Sequence, residues 1–256
     1  MSTTIEALVA AFVPAFRSGR ALPAGALDAL NVSTAEAYAA QASLCRALGG
    51  SVAGWKVGFG PDAASTAAPL LAAGVQPSGG RFALPPDRPL LVEIEIAFRL
   101  GRDLPPRPAR PYSRGEVEDA VVQVFCGAEL LAPRSGMPSA GTPFPRFIVD
   151  LHGNCGYVVG NGTAAYRAID LSACRTRIRV GRSKVHDAVG GHPQGDPWAP
   201  VVAWANAQCD GLGGLKAGQI LTTGSLHKPI AIEGAARIRA EVEGVGEVAL
   251  DIVRGR

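Results

Sequence analysis

The chain has 256 residues, of which 47% are hydrophobic and only 18% are charged, and this balance favours a buried core and excludes an intrinsically disordered chain. Its net charge of +3 is small, and no stretch combines clustered Lys and Arg with aromatic residues, so we expect no nucleic-acid partner. No apolar run reaches the length of a membrane span, and we expect no membrane partner either.

The N-terminal region predicts helices. Residues 8–16 are apolar, but the run is short, follows no basic region and contains Pro14, so it predicts a first helix rather than a signal peptide. Ser33 and Glu36 have the spacing of a capping box, in which each side chain satisfies a free backbone N–H at a helix start. The second helix then ends at the glycine pair 49–50.

After residue 50 the pattern becomes typical of β-structure. The predicted strands are residues 53–59, 91–100, 128–131, 156–159, 175–180, 219–223, 235–243 and 247–253. Two helices interrupt them. One starts at a second capping box, and the residues that define it are Ser113, Glu116, Val117, Val121 and Val124. The other covers about residues 200–209, and residues 134–145 predict a surface or active-site loop.

These elements predict an α+β fold with a mainly helical N-terminal part, residues 1–75, on a twisted β-rich catalytic domain, residues 76–256. The cysteines are odd in number and show no C-x-x-C spacing, which predicts reduced thiols in a cytoplasmic protein. They are Cys45, Cys126, Cys155, Cys174 and Cys209.

The run 91–100 carries two glutamates at alternate positions, Glu93 and Glu95. Apolar residues alternate with them, so the period is two, which is typical of a strand, and both carboxylates lie on the same side. Removing two adjacent like charges from water is costly unless a cation compensates, and a hard divalent ion such as Mg²⁺ takes oxygen ligands. A half-buried strand with a solvated polar face explains the same pattern, and the segment by itself favours that alternative.

Short motifs follow one another along the chain in a recognisable order. They are Gly54-Trp-Lys-Val-Gly58, residues 92–98 with Gly101-Arg-Asp-Leu104, Ala128-Glu-Leu130, Asp150, Asp196-Pro197, Trp204-Ala-Asn206, Leu215-Lys-Ala-Gly218 and Thr222-Thr-Gly-Ser-Leu226. With these motifs, roughly residues 30–256 resemble the 2-keto-4-pentenoate hydratase/2-oxohex-3-enedioate decarboxylase group of the fumarylacetoacetate hydrolase superfamily. The resemblance implies a twisted mixed β-sheet roll or barrel of the type found in that superfamily.

The resemblance implies a metal site formed by Glu93, Glu95 and Glu129, which would bind Mg²⁺ or Mn²⁺. Glu129 lies in the apolar stretch 126–131, where an unpaired charge is expensive, and this independently favours a charged partner for it. Three carboxylates leave room for waters or substrate oxygens, which Mg²⁺ sites usually keep.

The resemblance also implies two catalytic residues, Lys56 and Asp150. Lys56 is flanked by Gly54 and Gly58, which let backbone or ligand approach closely. A Lys beside a metal and partly desolvated has a lowered pKa, which suits proton transfer. The alternative for Lys56 is an edge-strand side chain that reaches solvent. Asp150 would orient Lys56 or a water at the metal, with an Asx-turn residue as the alternative.

Three further residues are substrate-binding candidates. Ser225 and Leu226 resemble the substrate-contacting turn of the family, with plain turn residues as the alternative, and the third candidate is Asn154. The family usually has Asn directly after the Asp, whereas three residues separate Asp150 from Asn154 here. Residues 59–61 also depart from the Leu and Thr or Ser that are common after the active-site Lys, so substrate identity is more affected than the metal site.

The histidines show no zinc-binding spacing. His152 and His227 are candidates for lining the pocket, but a surface or core role is the expectation for each. Because no His precedes residue 152, the sequence disfavours the C–C hydrolases of the wider superfamily, in which a His base lies near the N-terminal side of the site.

The resemblance implies a divalent-metal-dependent lyase. It would add water to a 2-hydroxy-2,4-dienoate of the 2-oxo-4-pentenoate type to give a 4-hydroxy-2-oxo acid, as in the meta-cleavage catabolism of aromatic compounds. The alternative is a 2-oxo-3-enedioate (4-oxalocrotonate) decarboxylase. An acylpyruvate C–C hydrolase and a non-catalytic partner subunit are further alternatives. The implied partners are a small 2-oxo acid, further copies of the chain in a homo-oligomer, and an associated pathway enzyme.

Overall fold

A computed structural model gives the structure of residues 3–138 and 143–255. The α-helices in these residues are α1 (Thr3–Ser18), α2 (Thr34–Ala47), α3 (Arg114–Glu118), α4 (Phe144–Val149) and α5 (Trp198–Ala207). Short 3₁₀ turns lie at Ala72–Gly74, Leu151–Gly153 and Tyr166–Ala168. None of the described helices is long and apolar enough to cross a membrane.

The strands of the described residues form two sheets. The strands are β1 (Val52–Phe59), β2 (Ser65–Leu71), β3 (Val75–Pro77), β4 (Gly80–Ala83), β5 (Leu90–Leu100), β6 (Val121–Leu131), β7 (Asn154–Thr163), β8 (Arg175–Val180), β9 (Ser183–Val189), β10 (Ile220–Ser225), β11 (Ile230–Ile232), β12 (Ala236–Val242) and β13 (Gly246–Val253). The larger sheet has the order β2-β1-β10-β5-β6-β7-β3, with β11 also beside β5, and the smaller sheet has the order β4-β13-β12-β8-β9.

The larger sheet is mixed and curled into a half-barrel. Strand β1 runs parallel to β10, whereas β5 runs antiparallel to β10, β6 and β11. With few helices and two largely antiparallel sheets, the structure confirms the predicted α+β class.

Both predicted capping boxes are present. Ser33 Oγ accepts a hydrogen bond from the Glu36 N–H, and the Glu36 carboxylate accepts one from the Ser33 N–H at the start of α2. Ser113 and Glu116 make the same reciprocal pair at the start of α3. The predicted first helix is α1, which continues through Pro14, and the predicted helix near residue 200 is α5.

Helix α3 is shorter than predicted. It ends at Glu118, and the predicted helical face is wrong beyond Val117 because Val121 and Val124 lie in strand β6. Most of β6 is buried on both faces, so its apolar residues do not alternate with polar ones. A valine spacing that suits a helix is therefore also compatible with this strand.

The predicted strands all coincide with parts of β1, β5, β6, β7, β8, β10, β12 and β13. The short strands β3, β4 and β11 and the edge strand β2 were not predicted. The predicted loop at 134–145 lies partly outside the described residues. The segment 1–75 also contains β1 and β2, which pair within the larger sheet, and the domain division at residue 75 stays a prediction.

Strand β5 divides its side chains between the two faces of the larger sheet. Val92, Ile94, Ile96 and Phe98 are buried in the main hydrophobic core. The helices cover this side, and α5 packs against β1, with the Trp204 ring 6.1 Å from the Trp55 ring. On the opposite side Ala97 packs in a second, smaller cluster, whose other buried members are Leu70, Phe125, Tyr157 and Ile220. The candidate site lies on this second side.

Candidate metal centre and active site

Three carboxylates meet on the side of the larger sheet that carries the smaller cluster. Glu93 and Glu95 are two residues apart on β5, so they share a face, and Glu129 on β6 lies directly opposite Glu93 in the antiparallel register. One oxygen of each carboxylate lies within 4.8 Å of the others. Glu95 and Glu129 are fully buried, whereas the Glu93 side chain is 12% exposed. The alternative of a solvated polar face on this strand is therefore wrong for Glu95.

Glu95 has a hydrogen-bond donor on one oxygen and none on the other. The Thr222 hydroxyl donates to Glu95 Oε2, and the Tyr157 hydroxyl donates to Thr222 Oγ1 at 3.1 Å. Glu95 Oε1 is buried and has no hydrogen-bond partner among the described residues. Burial, and then the charges of Glu129 and Glu93, raise the pKa of Glu95 well above its ordinary value.

Lys56 supplies the positive charge of the cluster. Strand β1 pairs with β10 so that Lys56 lies opposite Thr222, which turns both side chains toward the carboxylates. Lys56 Nζ lies 2.8 Å from Glu129 and 3.6 Å from Glu93, and the side chain is 16% exposed. Burial by itself lowers the pKa of Lys56, but the neighbouring carboxylates outweigh it and raise this pKa above its ordinary value. The predicted lowering, which assumed a bound metal, stays a prediction.

Asn154 holds the third carboxylate. Its side-chain N–H donates to Glu129 Oε1 at 2.9 Å and to the Gly156 carbonyl at 3.2 Å, so the amide orientation is defined. Burial raises the pKa of Glu129, and the Lys56 charge opposes that rise. Asn154 was predicted as a substrate ligand. The contact that the structure gives it is with a candidate metal ligand, and substrate binding stays a prediction.

Asp150 lies in a separate buried ion pair. Its carboxylate accepts hydrogen bonds from the backbone N–H groups of Arg134 and Ser135 and from the Ser135 hydroxyl, and it pairs with Arg134 Nη1 at 3.2 Å. Arg134 Nη1 also donates to the Asn154 carbonyl at 3.1 Å. Among the described residues no hydrogen bond or ion pair joins Asp150 to Lys56. These contacts favour a structural role for Asp150, through Arg134 and Asn154, and its catalytic role stays a prediction.

Ser225 and Leu226 differ in what they offer a substrate. Ser225 lies opposite Glu95 in the register of β10 and β5, and its buried Oγ has no hydrogen-bond partner among the described residues. Leu226 is 2% exposed in the main core, and its N–H donates to the Ile94 carbonyl at 2.9 Å. The Ser225 hydroxyl is thus available for a ligand, whereas the N–H and side chain of Leu226 are already engaged.

The histidines near the site are both held in hydrogen bonds. His152 Nε2 lies 3.1 Å from the Thr66 hydroxyl, and its ring stacks on Phe147 at 5.3 Å. Burial, with a smaller contribution from the Lys56 charge, lowers the pKa of His152 to about 3. His227 Nε2 accepts from the Ile94 N–H at 3.0 Å, and burial lowers the pKa of His227 as well.

Thr222, Tyr157 and Arg134 were not predicted as site residues. Thr222 lies in the motif 222–226, but it is 127 residues away in the sequence from Glu95, whose carboxylate it contacts. Tyr157 lies opposite Glu129 on β7 and is fully buried. A strict period of two along β7 would put Asn154 and Tyr157 on opposite faces, because they are three residues apart. The register shift between Leu130 and Leu131 in the pairing of β6 with β7 brings both near Glu129, and no local pattern indicates that shift.

The carboxylate cluster fits a divalent metal ion. Each ligand atom that it offers is a carboxylate oxygen, the donor type that Mg²⁺ and Mn²⁺ prefer. Lys56 alone cannot balance three carboxylates. Burial first, and then repulsion from the neighbouring carboxylates, raises the pKa of Glu95 and of Glu129. The unpartnered oxygen of Glu95 is a buried acceptor that a cation would satisfy.

Similarity to proteins of known sequence covers part of the chain. No protein-family model matches it. It is 27% identical over 158 residues to 2-keto-4-pentenoate hydratase of Burkholderia vietnamiensis, an alignment that covers 61% of this chain and 58% of that enzyme. The chain therefore spans less than two thirds of the length of this curated relative.

Similarity to solved structures extends over the whole chain. The 4-oxalocrotonate decarboxylase of Pseudomonas putida G7, complexed with magnesium and adipate, superposes with a TM-score of 0.82 at 18% identity and covers 99% of both chains. The fumarylpyruvate hydrolase of Pseudomonas aeruginosa, in complex with Mn²⁺ and pyruvate, has a TM-score of 0.58 at 14% identity, covering 78% of this chain and 89% of the other. The chain therefore has the fold of these solved structures and is similar in sequence, over 61% of its length, to 2-keto-4-pentenoate hydratase.

Proposed function

We propose that the protein is a divalent-metal-dependent hydro-lyase that adds water to a 2-hydroxy-2,4-dienoate and produces a 4-hydroxy-2-oxo acid. The observation that carries the proposal is the buried cluster of Glu93, Glu95 and Glu129 around Lys56, in which one Glu95 oxygen has no partner among the described residues. The hydratase relatives, and the magnesium and manganese in the structural neighbours, support the same reading.

Each residue of the cluster has a distinct part in the proposed reaction. Glu93, Glu95 and Glu129 hold Mg²⁺ or Mn²⁺, which when bound supplies a Lewis acid that stabilises negative charge on the 2-oxo oxygen. Lys56 carries the proton that converts the 2-hydroxy-2,4-dienoate into the 2-oxo-3-enoate. Lys56 Nζ lies within the cluster, 2.8 Å from Glu129 and 3.6 Å from Glu93. From there it gives a proton to C5 and takes one from the 2-hydroxyl group.

Water then adds at C4, the carbon conjugated to the 2-oxo group, and gives the 4-hydroxy-2-oxo acid. Ser225 Oγ, which has no hydrogen-bond partner among the described residues, is the proposed donor to the substrate. Its position opposite Glu95 sets it beside the carboxylate cluster. In this proposal Ser225 orients the substrate and Lys56 handles the proton.

A 2-oxo-3-enedioate decarboxylase is the second candidate. It is favoured by the match to 4-oxalocrotonate decarboxylase over 99% of both chains. The same carboxylate cluster would serve both reactions, because each passes through a species with negative charge on the 2-oxo oxygen. A panel of both substrates separates them, since only the enedioate can release CO₂.

The first test is the ultraviolet absorbance of 2-hydroxypenta-2,4-dienoate, followed with protein that has been treated with a chelator and then given Mg²⁺ or Mn²⁺. We expect metal-dependent loss of absorbance with 4-hydroxy-2-oxopentanoate as the product. Metal binding without turnover would shift the proposal to decarboxylation, and an absence of metal binding would favour a non-catalytic subunit.

A matched pair of lysine variants tests the role of Lys56. Lys56→Met removes the proton carrier from the cluster, whereas Lys216→Met changes an exposed lysine whose ion pair is with Asp103. We expect Lys56→Met to lower kcat by about 10²–10⁴-fold and Lys216→Met to leave it unchanged. Equal activity of the two variants would remove Lys56 from the mechanism.

We also propose that the protein works in the cytoplasm as a homo-oligomer. The free cysteines, Cys45, Cys126, Cys155, Cys174 and Cys209, agree with a reducing compartment. Light scattering coupled to size-exclusion chromatography tests the assembly, and a mass equal to one chain, 26.3 kDa, would contradict it.

A further inference from the structure

The hydrogen-bond ladder along β5 is interrupted beside the candidate metal ligands. Strand β10 pairs with β5 as far as Ser225, opposite Glu95, and β11 resumes the pairing at Ile230, opposite Val92. The connection between these strands, residues 226–229, passes the stretch of β5 that contains Glu93 and Ile94. No residue of this connection pairs with β5 as a strand among the described residues.

The two backbone groups of Ile94 are nevertheless satisfied on this side. The Ile94 carbonyl accepts from the Leu226 N–H at 2.9 Å, and the Ile94 N–H donates to His227 Nε2 at 3.0 Å. The other ring nitrogen of His227, Nδ1, donates to the Lys228 carbonyl. Because a carbonyl can only accept and an N–H can only donate, the imidazole is the neutral tautomer with its proton on Nδ1.

Ile94 lies between two of the proposed metal ligands, so its position affects both. Glu95 is held by the Thr222 hydroxyl, and Glu129 is held by the Asn154 amide. The described residues give the Glu93 side chain no hydrogen bond, and its ionic contact is with Lys56 at 3.6 Å. Glu93 therefore depends on its backbone for its position more than the other two ligands do.

We propose that His227 is a positioning residue for the metal centre: its imidazole replaces the missing strand partner of Ile94 and fixes the peptide that carries Glu93. This inference rests on the proposed metal dependence. Without the imidazole, the Ile94 N–H would lack its partner beside the cluster. On this side of β5 the Leu226 hydrogen bond to the Ile94 carbonyl would remain, but the N–H of the peptide that joins Glu93 to Ile94 would no longer be held.

The first measurement examines the hydrogen bond itself and requires no metal. In ¹⁵N-labelled protein we expect a scalar coupling across the hydrogen bond between the Ile94 amide nitrogen and His227 Nε2. We also expect His227→Ala to accelerate hydrogen exchange of the Ile94 amide, and His227→Gln to restore protection, because a glutamine Oε1 can accept at similar reach. Absence of the coupling and unchanged exchange in His227→Ala would overturn the proposal.

The second measurement is the affinity of the apo-protein for Mn²⁺, from titration followed by electron paramagnetic resonance. We expect His227→Ala to weaken Mn²⁺ binding by about 10–100-fold, which is the usual effect of losing a group that orients a metal ligand. His227→Gln should recover most of the affinity. Lys228→Ala is the matched control, because Lys228 contributes its backbone carbonyl and has an exposed side chain.

The Mn²⁺ affinities distinguish a failure of the proposed metal dependence from a failure of the positioning role. If the wild-type protein does not bind Mn²⁺, the proposed metal dependence fails and the positioning role fails with it. If the wild-type protein binds Mn²⁺ and His227→Ala binds it equally well, the positioning role alone is wrong. A Tm for His227→Ala close to that of Lys228→Ala, together with weakened Mn²⁺ binding and recovery in His227→Gln, supports the proposal.

Discussion

The two faces of strand β5 are both largely buried, but one is apolar and the other carries carboxylates. On one face Ile94 and Ile96 are fully buried among apolar side chains of the main core. On the other face Glu95 is also fully buried, beside the fully buried Glu129 and a largely buried Glu93. Alternate residues of this one strand therefore contribute to the hydrophobic core on one face and to the carboxylate cluster on the other.

The two faces contribute to the free energy of folding with opposite sign. Full burial of an aliphatic side chain such as Ile94 or Ile96 stabilises the fold by about 1.5–3 kcal/mol. Burial of the Glu95 and Glu129 carboxylates raises their pKa values, which means that the ionised form is less stable in the folded protein. The apolar face and the remaining core offset that cost, so substitutions on the two faces should separate stability from activity.

The largest expected effect is that of Glu95→Gln on catalysis. Removing this carboxylate takes away a proposed metal ligand, and we expect kcat/KM to fall by about 10²–10³-fold or more. The fold should remain, because glutamine has the same shape and removes a buried charge that lacks full compensation. Steady-state kinetics and the Tm of the metal-free protein measure the two quantities.

Glu247→Gln is the control for this substitution. Glu247 lies on strand β13, is exposed and is outside the carboxylate cluster, so its replacement should change neither activity nor Tm. Turnover at the wild-type rate in Glu95→Gln would refute the metal site, and a large fall in Tm would contradict the assignment of the two faces.

The next largest effect concerns the apolar face. Ile96→Ala should lower the free energy of unfolding by about 2–5 kcal/mol, because it opens a cavity in the main core. Activity per folded molecule should stay near that of the wild type at low temperature, since Ile96 points away from the carboxylates. Urea unfolding and kinetics on the same samples test both statements.

Val122→Ala gives the matched control, because Val122 is 51% exposed on the neighbouring strand β6. Its replacement should change the free energy of unfolding by no more than about 0.5 kcal/mol. A loss of activity in folded Ile96→Ala as large as that in Glu95→Gln would show that the two faces are not separable.

Much of the fold could be predicted from the sequence because its signals are local. The alternation in β5 and the capping boxes before α2 and α3 each depend on neighbours within a few residues. The start of β6 was predicted as helix because the buried residues Val121 and Val124 are three positions apart, a spacing that suits a helix face as well as this strand. The edge strand β2 lacks a comparable signal, since it reads as the mixed sequence Ser65–Leu71.

The site was predictable only in part, and for a related reason. The shared face of Glu93 and Glu95 could be predicted from the period of one strand. Glu129 was predicted from the family resemblance and from its apolar surroundings in the sequence. Thr222 reaches Glu95 across 127 residues, and Tyr157 reaches Thr222 across 65. Such contacts depend on the order of strands in the sheet, which no local pattern of residues encodes.

A smaller effect should appear in the pH dependence of stability. Burial lowers the pKa of His152 from an ordinary value of 6.5 to about 3, so above pH 6.5 the imidazole is neutral in both folded and unfolded chains. Below pH 6.5 the unfolded chain binds a proton that the folded chain does not. His152 should therefore lower the free energy of unfolding by about 1.4 kcal/mol per pH unit as the pH falls from 6.5 toward 3.

His152→Gln removes this proton-linked loss while leaving an acceptor for Thr66. The difference in unfolding free energy between variant and wild type, measured at pH 8 and again at pH 5, should move in favour of the variant by about 2 kcal/mol. Taking the difference cancels the titration of the other groups. If the free energies of unfolding of the two proteins change in parallel with pH, the pKa of His152 is not lowered in the folded state.

The smallest effect on stability is expected for one of the two glycines that flank Lys56. A Cβ on Gly54 would lie 2.3 Å from the Ile220 carbonyl oxygen of the paired strand, so Gly54→Ala forces the backbones of β1 and β10 apart. A Cβ on Gly58 would meet no described atom within 4 Å. Gly58→Ala should therefore be neutral or stabilise the fold by about 0.4–1 kcal/mol, through loss of freedom in the unfolded chain.

Gly58 shares the face of Lys56 because the two residues are two positions apart on β1, so the free space beside it borders the carboxylate cluster. If that space accommodates substrate, the added methyl group should raise KM on the order of tenfold, with kcat less affected. Kinetics of Gly58→Ala beside its Tm measure this. An unchanged KM would mean that the substrate approaches Lys56 from another side, and that of the two glycines only Gly54 is required, for close packing of the strands.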